Sequence, residues 1–113
     1  MNKKVFLATI EWIKTNDDGK ISIPFNESKY CPQISVDGQY IVNESSWSVF
    51  CLNFKMIAPN KTDSYIKYLN QNSAPDNLKT GSRIELYELG KIVAYGEIIG
   101  EIKINLNITA CTK

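Results

Sequence analysis

An all-β fold is predicted by three features of the sequence. Short runs of β-branched, aromatic and aliphatic residues alternate with polar ones at a period of two, glycine-bearing turn signals separate these runs, and glycines interrupt the longest of them. The 113 residues match the size of one domain, so a single unit spanning 1–113 has room for one barrel or sandwich. A composition of 43% hydrophobic and 22% charged residues is that of a chain able to bury a core and fold alone.

Met1-Asn2-Lys3-Lys4 looks like the start of a signal peptide. The apolar run from Val5 is cut by Glu11 and lacks a small-residue cleavage site, so the segment to Ile13 reads as a first strand. Asn16-Asp17-Asp18-Gly19 is a turn in which glycine takes positive φ. Ile21, Ile23 and Phe25 alternate with Ser22 and Pro24, which predicts a strand whose proline favours an edge or bulge. Ile34 and Val36 lead into an Asp37-Gly38 turn and a second hairpin arm at Tyr40-Ile41-Val42.

Trp47–Ile57 is the strongest strand. Phe50, Leu52, Phe54 and Met56 share one side of it, which is predicted to face the core, with Trp47, Val49, Cys51, Asn53 and Lys55 on the other. The polar stretch Asn60–Thr80 reads as a loop in which Tyr65 and Leu69, spaced i and i+4, permit a short helix; a strand or packed loop is the alternative. Arg83–Tyr87 alternates cleanly, and Ile92–Ile102 is a long strand whose Gly96 and Gly100 mark the bends that a closing barrel needs. The tail alternates again through Ile104, Leu106 and Ile108.

Composition also narrows the chemistry. Thirteen basic residues against twelve acidic ones give a net charge of +1, and only Arg83 supplies a guanidinium fork, so nothing draws the whole chain toward phosphate or an acidic membrane. There is no histidine, the usual general base near neutral pH and the commonest metal ligand. Asp17 and Asp18 fall in a turn and Glu85, Glu97 and Glu101 along strands, where solvated faces are the ordinary reading. The three cysteines, Cys31, Cys51 and Cys111, form no C-x-x-C pair and are an odd set for a disulfide framework. The glycines are dispersed and build no phosphate-binding loop. These features predict a cytoplasmic, non-enzymatic protein with no cofactor, no metal, no nucleotide and no membrane partner. Most aromatics fit strand patterns. Tyr65 and Tyr68 in the polar stretch, with Leu69, are candidates for a protein-contact surface, since tyrosine is enriched at interfaces.

The segment Leu78-Lys79-Thr80-Gly81-Ser82-Arg83 through Leu89-Gly90-Lys91 to Ile98-Ile99 resembles the closing part of the C-terminal β-barrel (domain III) of bacterial elongation factor Tu. Asp18-Gly19-Lys20 with Ile23-Pro24-Phe25, Tyr30-Cys31-Pro32-Gln33, and a strand ending Met56-Ile57-Ala58-Pro59 are similar to further stretches of that barrel, in the same order. The resemblance implies a stand-alone, six-stranded antiparallel Greek-key barrel. It also implies that Gln33, Leu89, Gly90 and Lys91 lie near a surface for tRNA or another partner. Cys31 stands where the family motif has Arg, Leu89 where it has one of two glycines, and Lys61–Asn77 reads as an insertion. The family's GTPase domain has no counterpart here, so GTP hydrolysis is not implied.

The expected function is therefore a binding module, foremost for another protein such as a toxin or a translation component. One form of it is an immunity protein that neutralises a toxin acting on translation or tRNA. The alternative is binding of tRNA or structured RNA, and the third is a structural domain of a homo-oligomer.

Overall fold

The computed structural model describes residues 4–25, 30–38, 47–69 and 76–104. The predicted arm Tyr40–Val42 and the tail beyond Ile104 lie outside the described residues. Six strands are present: β1 (Val5–Trp12), β2 (Gln33–Val36), β3 (Trp47–Ala58), β4 (Lys61–Tyr68), β5 (Arg83–Glu88) and β6 (Lys91–Ile102). Every pairing is antiparallel, and the order β1-β4-β3-β2-β5-β6 closes through the β1–β6 ladder into a barrel. With β5 beside β2 in the run β2-β3-β4, the connections form a Greek key. Closure removes the free sheet edges that an open six-stranded sheet would expose.

The expected strands at β1, β2, β3, β5 and β6 are found, and two elements differ. The stretch read as an inserted loop with a short helix is β4, the strand between β1 and β3, and no helix occurs among the described residues. Its inward positions are Thr62, Ser64, Ile66 and Tyr68, all buried. Two of these four carry hydroxyls, so the inward row lacks the apolar signature of a strand. Ile21–Phe25, predicted as a strand, contributes only isolated bridges, Thr15 to Ile21 and Phe25 to Asn53. Pro24 interrupts the ladder there and offers its carbonyl to Asn53 Nδ2 at 3.1 Å.

The facing of β3 is the reverse of the expectation. Val49, Cys51 and Asn53 point inward with Trp47 packed beside them, whereas Leu52 and Phe54 are half-buried and Met56 is exposed. The outer apolar groups find cover on the barrel wall: Phe54 stacks on Tyr65 with ring centroids 4.2 Å apart, and Leu52 lies opposite Tyr65 in the β3–β4 register. Phe50 is buried outside the main cluster.

The main cluster gathers Phe6, Ala8, Ile10 and Trp12 of β1 with Ile66, Ile84, Leu86 and Ile98. One side of the interior is polar and satisfied. Asn53 Oδ1 accepts from Thr62 at 3.0 Å and from Ser64, Thr62 accepts Trp12 Nε1–H at 2.9 Å, and the Cys51 thiol lies 3.6 Å from Asn53 Oδ1. Each buried polar atom of this set has a partner, which a low-dielectric interior demands.

The interrupting glycines act as expected. Gly100 lies at a register shift, since Leu7 pairs with Gly100 and Ala8 with Ile98, leaving Ile99 as the bulged residue. At Gly96 the β1 backbone comes so close that a Cβ would sit 2.9 Å from the Thr9 carbonyl oxygen.

Cysteine usage needs one correction. Cys31 is disulfide-bonded, Cys51 is a buried free thiol, and Cys111 lies outside the described residues. Disulfides persist in oxidising compartments, so the cysteines give no argument for the cytosol. Among the described residues no helix is long and apolar enough to cross a membrane.

Candidate functional site at the β5–β6 end of the barrel

The β5–β6 hairpin turns through Leu89 and Gly90, with Glu88 opposite Lys91. Both turn residues have positive φ, 51° at Leu89 and 81° at Gly90, as a two-residue turn of the I′ type requires. Asn-Gly is the favoured pair at such a turn, because Asn tolerates the left-handed region and a branched aliphatic side chain does not. Leu89 is also 100% exposed, so no packing offsets its backbone strain. Replacing it should stabilise the fold: Leu89→Asn is expected to raise unfolding free energy by roughly 1 kcal/mol, read as a higher urea midpoint at unchanged slope.

The turn is braced from below. Glu88 Oε2 takes Lys14 Nζ at 3.0 Å and also the Tyr30 hydroxyl proton. The same ammonium lies 5.5 Å from the centre of the Tyr30 ring, which stands 5.7 Å from Trp12. Trp12 in turn donates to Thr62 in the polar interior. The strained tip is thus tied to the core through three side chains, a geometry that holds it in one place.

The residues singled out from the sequence fall into two groups. Leu89, Gly90 and Lys91 form or flank the tip, and Gln33 of β2 lies opposite Tyr87, two residues along β5 from Leu89. These four are brought to one end of the barrel. Tyr65, Tyr68 and Leu69 do not form one contact surface. Tyr65 sits on the outer wall against Phe54, whereas Tyr68 is buried, packs edge-on to Trp47 and donates its hydroxyl to Asn77 at 2.7 Å. Leu69 is half-buried, with its N–H bonded to Ser48. Tyr65 and Tyr68 are three apart on a strand and so face opposite ways, which removes Tyr68 as a contact residue.

Burial pushes the Tyr68 phenol up to about 12. The folded state then keeps this proton after the unfolded chain has lost it. The stabilisation is complete below the ordinary tyrosine value near 10 and is lost as pH rises from there through about 12. In an alkaline absorbance titration of native protein one tyrosine should ionise last, and Tyr68→Phe should abolish that late step. Burial likewise raises the Cys51 thiol, which therefore stays protonated and unreactive at neutral pH.

Among the described residues no group of three His, Cys, Asp or Glu side chains is placed to hold a metal ion. Glu85, read from the sequence as part of a solvated face, accepts the Tyr87 hydroxyl at 2.9 Å. Two features escaped the sequence. The Lys14–Glu88–Tyr30 brace joins residues from distant parts of the chain, and Tyr95 on β6 lies between Glu11 of β1 and Glu85 of β5. Both depend on the register of non-adjacent strands, for which alternation carries no signal. No family model matches this chain, and no curated protein matches it either.

Proposed function

We propose that the chain is a non-enzymatic protein-binding module that meets its partner with the β5–β6 end of the barrel. The single observation behind this reading is Leu89: a fully exposed aliphatic side chain, in a backbone conformation that costs stability, on a turn braced by Lys14, Glu88 and Tyr30. Strain of this kind persists where a side chain is needed for contact, and an apolar knob suits a pocket on a protein. The resemblance of the last third of the chain to the elongation factor Tu barrel supports the same end as the contact region. In its specific form the reading is an immunity protein that neutralises a toxin directed at translation or tRNA. That form belongs in the cytoplasm, and the Cys31 disulfide is the observation that stands against it.

A second reading, tRNA or structured-RNA binding, has Lys91 and Gln33 at the same end in its favour. Leu89 at the tip, where phosphate contact calls for a backbone or cationic group, weighs against it. The test is capture from a nuclease-treated native lysate, with the wild-type chain and Leu89→Asn as baits. A stoichiometric protein should be retained by the wild type and lost from the variant, although the variant is the more stable of the two. Recovery of RNA alone from untreated lysate would count against protein binding.

A further inference from the structure

The strand registers place one residue from each of five strands in a row around the barrel wall. Ser35 of β2 lies opposite Glu85 of β5, Glu85 opposite Tyr95 of β6, Tyr95 opposite Glu11 of β1, and Glu11 opposite Lys61 of β4. Facing residues on neighbouring strands project to the same side, about 5 Å apart. The row points away from the core: none of its members belongs to the core cluster, while their neighbours Ile34, Ile84, Ala94, Ile10 and Thr62 are all buried.

At its centre Tyr95 is 45% exposed and flanked on both sides by a carboxylate. Glu11 and Glu85 take part in none of the ion pairs found among the described residues. Next to Glu85 in the row, Ser35 Oγ is an orphan: the residue is 2% exposed and its hydroxyl has no hydrogen-bond partner. Two adjoining depressions of ≈ 420 and ≈ 380 Å³ meet here, sharing Arg83, Tyr95 and Gly96. Of the charged groups lining them, the carboxylates Glu11, Asp37, Glu85 and Glu97 outnumber the cations Lys61 and Arg83.

An aromatic ring between two carboxylates that belong to none of the ion pairs found among the described residues, Glu85 accepting only the neutral Tyr87 hydroxyl, has the components of a receptor for a cationic side chain. The ring offers its face to the charge, and the carboxylates accept its N–H groups. From this geometry we infer that the Glu11–Tyr95–Glu85 row binds an arginine or lysine side chain of a partner protein, with arginine favoured because its planar fork both stacks and bonds. The deduction rests on the chain being a protein-binding module and adds the chemistry of the partner: a basic protein surface, of the kind that phosphate-binding proteins carry. Lys61 at one end of the row and Arg83 beside Glu97 limit how many cations fit, which directs the ligand to the Tyr95–Glu85 side.

The test uses the purified chain and, as probe, a short capped peptide of alternating arginine and glycine, with a glutamate–glycine peptide as control. Amide chemical shifts are followed during titration. Shifts should concentrate at residues 9–11, 83–85 and 95–97, and the glutamate peptide should leave them unmoved. Tyr95→Ala and the double variant Glu11→Gln/Glu85→Gln should each weaken binding by about tenfold, with unchanged thermal midpoints because all three side chains lie on the outer wall. Leu89→Asn should bind the peptide as the wild type does. Shifts spread equally over Asp17, Asp18 and Asp76, or full binding by Tyr95→Ala, would show attraction to charge alone and overturn the inference. A peptide that fails to bind while lysate capture still depends on Leu89 would remove the cation site and leave the protein-binding reading standing. Peptide binding without any captured protein would do the opposite.

Discussion

Asn53→Ala should lower the unfolding free energy by about 3 kcal/mol or more, a large share of the 5–15 kcal/mol typical of a domain. Asn53 is fully buried, and its side chain satisfies three groups at once. Its Oδ1 accepts the Thr62 and Ser64 hydroxyls, and its Nδ2 donates to the Pro24 carbonyl at 3.1 Å. Truncation orphans all three and leaves a small void, and each buried unsatisfied group costs on the order of 1–3 kcal/mol. Water entering the void, or a turn of the two hydroxyls toward each other, recovers part of this; Thr62 and Ser64 already stand 2.9 Å apart. Urea unfolding monitored by tryptophan emission measures the change directly, because Trp12 is hydrogen-bonded into the network. Thr62→Val combined with Asn53→Ala should cost less than the sum of the two single changes, since the partners of one interaction are then removed together.

Gly96→Ala should be nearly as damaging for a different reason. The added Cβ would lie 2.9 Å from the Thr9 carbonyl oxygen, 3.1 Å from Ile84 Cγ1 and 3.2 Å from Ile10 Cγ1. The first contact is backbone, so β1 and β6 must move apart, and overpacking of this kind costs about 1–3 kcal/mol. The same movement separates Glu11 from Tyr95, its partner across the β1–β6 ladder, so arginine-peptide binding should weaken along with stability. Gly100→Ala is the matched control. Its Cβ would meet only Thr80 Oγ1, at an ordinary 3.6 Å, and the substitution should change stability by less than half as much.

How far this molecule can be read from its sequence depends on what each strand buries. β1 was legible as a run of β-branched, aromatic and aliphatic residues, β5 because Ile84 and Leu86 alternate with polar neighbours, and β6 because the interruptions at Gly96 and Gly100 pointed to a barrel. β4 was obscured because its inward row begins Thr62, Ser64. A hydroxyl pair facing inward becomes intelligible only when Asn53 is found opposite it. β3 was recognised as a strand but turned the wrong way round. Its outer side carries Phe50, Leu52, Phe54 and Met56, more apolar bulk than the inner Val49, Cys51 and Asn53, and composition has no means of knowing that Tyr65 covers Phe54 from outside.

The candidate sites divide in the same way. Leu89, Gly90, Lys91 and Gln33 were reached through the resemblance, and the barrel brings them to one end. The strain at Leu89 follows from the two-residue connection between Glu88 and Lys91 and was not visible before the register was known. Tyr68 looked like a surface tyrosine because its surroundings in the chain are polar, yet strand parity turns it inward. The Glu11–Tyr95–Glu85 row joins residues from opposite ends of the sequence and exists only once β6 closes on β1. Single-residue inspection of Glu11 or Glu85 yields a solvated carboxylate and nothing more.

Recognition of protein rather than nucleic acid is what we propose for this barrel. It is tested most directly by titrating the purified chain with labelled bulk tRNA over a range of salt concentrations, alongside the protein retained by the wild-type bait. Saturable 1:1 binding of the protein, weakened by Leu89→Asn, is expected, with no saturable binding of tRNA even at low salt. Saturable tRNA binding that falls steeply with salt through counterion release, and that Lys91→Glu weakens, would contradict it.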